Sequence, residues 1–131
     1  MSVDTISNFL TVLRNAILIS KRSVTTHYSR MREDIVKILK EEGFVRDYLV
    51  IADDEKKKQL KVDLKYVHGE CAIHALQRVS RPGRRDYTKL KNLKPVIGGL
   101  GISILSTNAG VITDKKANEL SVGGELICQV W

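Results

Sequence analysis

With 131 residues and 43% hydrophobic side chains, the chain can bury a core as one compact domain or two small ones, which argues against intrinsic disorder. No apolar run approaches bilayer length, and the first residues lack a basic stretch leading into an apolar one. Neither a membrane span nor a secretory leader is expected, and the cytoplasm is the expected compartment. The net charge of +7 is unevenly placed: residues 78–94 hold seven Lys or Arg against Asp86 alone, whereas residues 1–77 hold 13 against 11 acids. Such a concentrated basic segment points to a polyanionic partner, since a surface kept basic only for solubility would more usually intersperse acids.

In chain order, Asp4 or Ser2 can cap a helix predicted to run to about residue 20, with Ile6, Phe9, Leu10, Leu13, Ala16 and Ile17 at helical spacing. Arg14 and Asn15 fall at the edge of that stripe. Val24 and Thr25 then favour a short strand. A second helix is predicted from Ser29, its N-cap, to Gly43, which suits the left-handed residue after a helix. Met31, Ile35, Ile38 and Leu39 form its apolar face, and Glu33 and Lys37 make an i,i+4 pair in the favourable order. Arg30 and Arg32 lie in its first turn, where the helix dipole disfavours cations; they are either phosphate contacts or two solvated residues placed by chance.

Residues 44–52 read as a strand, residues 60–66 alternate as a second, and residues 71–79 read as a third. The polar DDEKKK stretch and His68-Gly69-Glu70 supply the turns between them. This half is expected to be a helix-on-sheet α+β domain with a three-stranded sheet, spanning residues 1–79. SRPGRR at residues 80–85 interrupts any regular element and is the expected domain boundary. Beyond it, strands are predicted around Tyr87, over 101–106 and over 125–130, with a helix over 113–119 capped by Thr113 and a turn at Gly123-Gly124. The second domain, residues 80–131, is therefore expected to be smaller and mostly β with one short helix.

The stretch GGLGISILSTNAGVITD, residues 98–114, invites three readings. As a nucleotide loop it fails the dinucleotide pattern, because the required third glycine is Ile104 inside a predicted strand, and the chain has no Gly-Lys-Ser/Thr. A small enzyme or ligand-binding domain using these glycines for a phosphorylated substrate stays as the alternative. As nucleophiles, Ser103 and Ser106 sit in no G-x-S-x-G elbow, and all three histidines lie in the first half, so no enzyme is expected. His68, Cys71 and His74, with Cys128 as a fourth ligand, are spaced for a helix face but fall on a predicted turn and strand, so neither a metal nor a cofactor is expected. Cys71 and Cys128 form no CxxC pattern and are expected to be reduced. The third reading is RNA. Ser106, Thr107 and Asn108 are each donor and acceptor, suited to base edges and 2′-hydroxyls, while basic side chains upstream hold phosphates. Tyr87 offers a ring for stacking or is a core tyrosine; Glu125 either accepts from base amino groups or merely begins a strand. A protein–protein adaptor docking through the second half would instead show no salt-dependent RNA binding.

DTISNFLTVLRNA, SRMREDIVKILKEEGF, RVSRPGRRDY, GLGISILSTNAGVITD and GGELICQVW together span essentially the whole chain, and the last two are highly specific. On these stretches the sequence resembles the bacterial-type small-subunit ribosomal protein S8 family. The resemblance implies a two-domain protein that binds the central domain of small-subunit ribosomal RNA, helps assemble the platform beside neighbouring ribosomal proteins, and in several bacteria represses its own operon messenger RNA. It implies main RNA contacts at Ser106, Thr107, Asn108 and Glu125 and secondary ones at Arg14, Asn15, Ser29 and Arg30. With the basic segment, the expected RNA-binding set also takes in Tyr87, Arg78, Arg81, Arg84, Arg85 and Lys89. The chain departs from the family at Thr5, usually Pro, and at Asn108, usually Ser.

Overall fold

The computed structural model describes residues 5–52, 57–79, 87–88 and 101–131. The chain divides into two compact units, Ile6–His74 and Ala75–Trp131. The SRPGRR stretch lies outside the described residues.

The first unit begins with α1 (Thr5–Leu18), which buries Phe9, Leu10 and Leu13 completely, as its apolar spacing requires. It ends with Ser20 in the left-handed region (φ 55°), where Ser20 N–H bonds Ile17 O and Lys21 N–H bonds Ala16 O. These two bonds form the Schellman pattern that satisfies carbonyls left over at a helix end. After β1 (Ser23–His27), Ser29 caps α2 (Arg30–Glu41): its backbone is extended and its Oγ accepts from Arg32 N at 3.1 Å. The same Schellman pattern closes α2 through Gly43 N–H to Lys40 O and Phe44 N–H to Leu39 O, with Gly43 at φ 82°.

The strands β2 (Val45–Ala52) and β3 (Lys58–Leu64) complete an antiparallel sheet of order β1-β3-β2. On β3, Leu60, Val62 and Leu64 are buried while Lys61 and Asp63 between them face outward, so the alternation in sequence has become the two sides of the sheet. α2 packs beside β2 and buries Ile35, Val36 and Leu39. A tight hairpin of β4 (Tyr66–Val67) and β5 (Glu70–Cys71) follows. His68 and Gly69, at φ 52° and 83°, supply the two left-handed residues such a two-residue turn needs.

The expected third strand over 71–79 is not one element. Cys71 closes the β4–β5 hairpin, and pairing resumes only at β6 (Leu76–Arg78), in the second unit. The third strand of the first unit's sheet is instead β1, paired along β3 from Ser23↔Asp63 to His27↔Gln59. The apolar character of 71–79 is real, with Cys71, Ile73 and Leu76 all buried, but β6 takes its pairing from β10 rather than from its chain neighbours.

In the second unit, β7 (Tyr87–Thr88), β8 (Ile102–Thr107), β9 (Gly110–Thr113), α3 (Asp114–Leu120) and β10 (Gly124–Val130) follow in order. Their sheet runs β6-β10-β8-β9, and β7 also pairs with β10, at its first two residues. Ile104, Leu105, Cys128 and Val130 are fully buried at its centre, with Ala117 of α3. Thr113 caps α3 by accepting from Lys116 N at 3.2 Å, as the sequence predicts. The overall class is α+β, as expected. Both cysteines are buried thiols.

Candidate nucleic-acid interface

Two turns bring the small polar residues of β8 beside the start of β10. The first joins β8 to β9, where Thr107 pairs with Gly110 across Asn108 and Ala109. Thr107 Oγ1 donates to Gly110 O at 2.9 Å and accepts from Ala109 N–H at 3.0 Å, so the hydroxyl staples its own turn. The second is the end of α3. Ser121 adopts φ 54°, Ser121 N–H bonds Asn118 O and Val122 N–H bonds Ala117 O, which sends the chain back along β8.

β10 then enters with Glu125 directly opposite Ser106 on one side and opposite Tyr87 of β7 on the other. Directly opposed residues of an antiparallel pair share one face of the sheet. Glu125 and Ser106 are therefore held side by side by backbone register rather than by long side chains. Gly124 makes this approach possible: a Cβ there would lie 2.3 Å from Ser106 O and 2.8 Å from Thr107 Cγ2. Ser106, Thr107 and Asn108 form one wall of a hollow of about 580 Å³, and Val122, Gly123, Gly124 and Glu125 form the other.

The groups available in this hollow differ from those expected. Ser106 is half-buried and Asn108 exposed, and among the described residues no hydrogen bond engages the Ser106 hydroxyl or the Asn108 amide. Thr107, by contrast, has already used its only hydroxyl proton. It retains one acceptor lone pair, and its main work is to shape the turn that displays Asn108. Ser103 is fully buried, with its N–H toward Asp114 Oδ1 and its Oγ toward Gln129 Nε2, both at 3.4 Å, so it belongs to the sheet's interior.

Of the basic residues expected upstream, Arg81, Arg84, Arg85 and Lys89 lie outside the described residues, as does the side chain of Tyr87. Arg78 is described and has a structural task. β10 is bulged between Leu126 and Cys128, and Ile127 O there accepts both Val79 N–H (3.0 Å) and Arg78 Nη1 (2.8 Å).

In the first unit, Asn15 and Arg30 are exposed and Arg14 is half-buried. Ser29 has committed an oxygen lone pair to the α2 cap. Arg32, read as a first-turn cation, is instead only 8% exposed. Its Nη1 donates to Thr26 Oγ1 at 2.6 Å and to His27 O at 2.9 Å, and its guanidinium lies over the Phe9 ring at 5.5 Å. Burial pulls its pKa down from the ordinary arginine value. It ties β1 to the start of α2 and is not a phosphate ligand. Its position in the chain carried no sign of this, because a buried arginine and a solvated one look alike in sequence. His68 stands in the β4–β5 turn, Cys71 is buried and His74 is exposed; among the described residues no group of three metal-ligating side chains gathers. No helix among them is long and apolar enough to cross a membrane.

Residues 4–131 match the family model described as Ribosomal protein S8, and the chain belongs to that family. It is 49% identical over 129 residues to the small ribosomal subunit protein uS8 of Lactobacillus johnsonii, covering 98% of this chain and 97% of the relative. To the protein of the same name from Thermodesulfovibrio yellowstonii it is 46% identical over the full length of both, and to one from a Bradyrhizobium species 44% identical over 128 residues. The family is one of ribosomal structural proteins rather than enzymes.

Proposed function

We propose that the protein is a constituent of the small ribosomal subunit that binds directly to the central domain of its ribosomal RNA and helps assemble the platform, in the cytoplasm. The observation that carries the reading is the hollow that joins Ser106 and Asn108 to Glu125 in a chain of this family. Its hydroxyl, amide and carboxylate are short groups on fixed backbone, so they meet an irregular RNA groove with little ordering cost. Glu125 accepts from exposed base amino groups, which a phosphate backbone does not offer, and so favours bases over phosphates. Arg81, Arg84, Arg85 and Lys89 supply the salt-sensitive attraction, with Arg78 sharing its charge between the bulge and the RNA; Tyr87 stacks on a base or ribose. Arg14, Asn15, Ser29 and Arg30 make secondary contacts.

Footprinting the full chain on small-subunit ribosomal RNA tests this reading. The expected result is one protected irregular helix in the central domain, with protection lost on Ser106→Ala; protection elsewhere, or none, would refute it. An operon messenger RNA carrying a copy of the same helix would enter the same hollow, so repression is the companion reading. Comparable affinities for the two RNAs, both dependent on Ser106, are its expected outcome.

A further inference from the structure

The first unit has a larger surface hollow, of about 890 Å³, ringed by cations that none of the recognition residues above includes. It opens at the end of the sheet where β2 and β3 meet the C-terminus of α2, and Arg22, Arg46, Lys61 and Lys65 line it, with Asp63 the only acid among them. None of these four makes an ion pair with a described residue. Lys40 also lines the hollow, but Asp47 Oδ1 holds it at 2.9 Å.

Their placement is built into the backbone. Lys61 alternates with buried Leu60 and Val62, so it stands on the open face of the sheet, flanked in register by Thr25 of β1 and Leu49 of β2. Arg46 is the residue where the β2–β3 register shifts between Val45 and Asp47, and a bulge of this kind re-aims the side chain it carries. Arg22 is fixed by its own carbonyl, which accepts Leu64 N–H at 2.8 Å. Lys65 has a second explanation: its Nζ lies 3.8 Å from where a Gly43 Cβ would stand, at the end of α2, where the helix dipole favours a cation. Among the described residues Arg22 and Lys61 have no such partner, and Arg46 has only the nearby Asp47 carboxylate, which Lys40 already holds.

We propose that this hollow binds the phosphate backbone of RNA, as a sequence-independent contact separate from the Ser106–Glu125 hollow. The proposal rests on the RNA-binding reading of the chain but not on recognition by Ser106. Three cations from a β1 lead-in, a bulge and a strand converge on one open concavity with a single acid, an arrangement suited to a chain of phosphates.

The test uses the full chain and a short duplex RNA of arbitrary sequence, titrated at several KCl concentrations by fluorescence anisotropy. The triple variant Arg22→Gln, Arg46→Gln, Lys61→Gln should lower the slope of log affinity against log salt by about 2–3, from about 0.9 per lost phosphate contact. The charge-preserving variant Arg22→Lys, Arg46→Lys, Lys61→Arg should keep the wild-type slope. A wild-type slope in the glutamine variant, or an equal loss in the charge-preserving one, would overturn the proposal. On ribosomal RNA, loss of affinity with Ser106→Ala but none with the glutamine variant would leave recognition standing and remove this second contact. The reverse pattern would keep the second contact and remove recognition by Ser106.

Discussion

Gly124→Ala is the sharpest test of how the polar hollow is assembled. Gly124 has no left-handed backbone requirement, so an alanine there is conformationally allowed. Reduced freedom of the unfolded chain alone would then stabilise the protein by about 0.4–1 kcal/mol. The steric consequence has the opposite sign. The new Cβ would stand 2.3 Å from Ser106 O, well inside the 3.0 Å that real Cβ atoms essentially never cross, and 2.8 Å from Thr107 Cγ2. The first obstacle is backbone and cannot rotate away, so β10 must retreat from β8 at the Glu125↔Ser106 pair. Overpacking of this kind costs about 1–3 kcal/mol, which outweighs the entropic gain and leaves a net loss on the order of 1–2 kcal/mol. For a chain of this size that corresponds to a fall in Tm of roughly 4–8 °C. Urea unfolding with an unchanged m-value is the stability assay, and affinity for ribosomal RNA the functional one, since Glu125 moves off Ser106. A variant as stable as the parent, or stabilised by the entropic amount, would refute the claim that close backbone approach at Gly124 builds the hollow.

Ser106→Ala and Thr107→Ala should separate recognition from construction. The first should leave unfolding within about 0.5 kcal/mol of the parent and lower RNA affinity by roughly 1–3 kcal/mol, whereas the second should lose about 1–2 kcal/mol of stability with its two turn hydrogen bonds. Thr107→Ser, which keeps the hydroxyl, should recover most of that stability in the same urea titration. Arg32→Met should destabilise the first unit by about 2–3 kcal/mol, because Thr26 Oγ1 and His27 O lose a charged donor, and Arg32→Lys should rescue only part of it, one ammonium replacing a planar fork. Thermal unfolding of both variants decides it; a neutral Arg32→Met would mean the guanidinium is dispensable to β1 and α2. The hydrogen bond from Lys40, then the Tyr48 N–H, hold the Asp47 carboxyl below its ordinary value. Their small stabilisation is present above about pH 4 and is lost as pH falls through the lowered value, so Asp47→Asn should lower stability slightly at neutrality and flatten the acid limb below about pH 4, where the parent loses the same contribution.

Much of this protein was legible in its sequence because the relevant signals are local. The apolar spacing of Ile6 to Ala16, the Ser29 and Thr113 caps, Gly43 after α2 and the alternation of Leu60, Val62 and Leu64 each follow from a few neighbouring residues, and each element formed where they placed it. The stretches at 98–114 and 123–131 were specific enough to indicate the family before any fold was known.

What the sequence could not carry is pairing between distant residues. Whether 71–79 served one sheet or two depended on β10, more than forty residues on, offering β6 an edge. The close backbone approach that shapes the hollow falls at Gly124, outside the 98–114 stretch, because only the Glu125↔Ser106 register decides which backbone meets which. The same logic turned Arg32 from a surface cation into a buried tie, gave the Thr107 hydroxyl to its own turn, and gathered Arg22, Arg46 and Lys61 around one hollow from three places in the chain. By itself, then, the sequence determined which elements form and which family they belong to, since propensity, capping and periodicity act over a few residues. Tertiary structure alone decided which polar groups face outward unspent, since a hydrogen bond claimed inside the fold is unavailable to a partner, and the claimant is often remote in sequence.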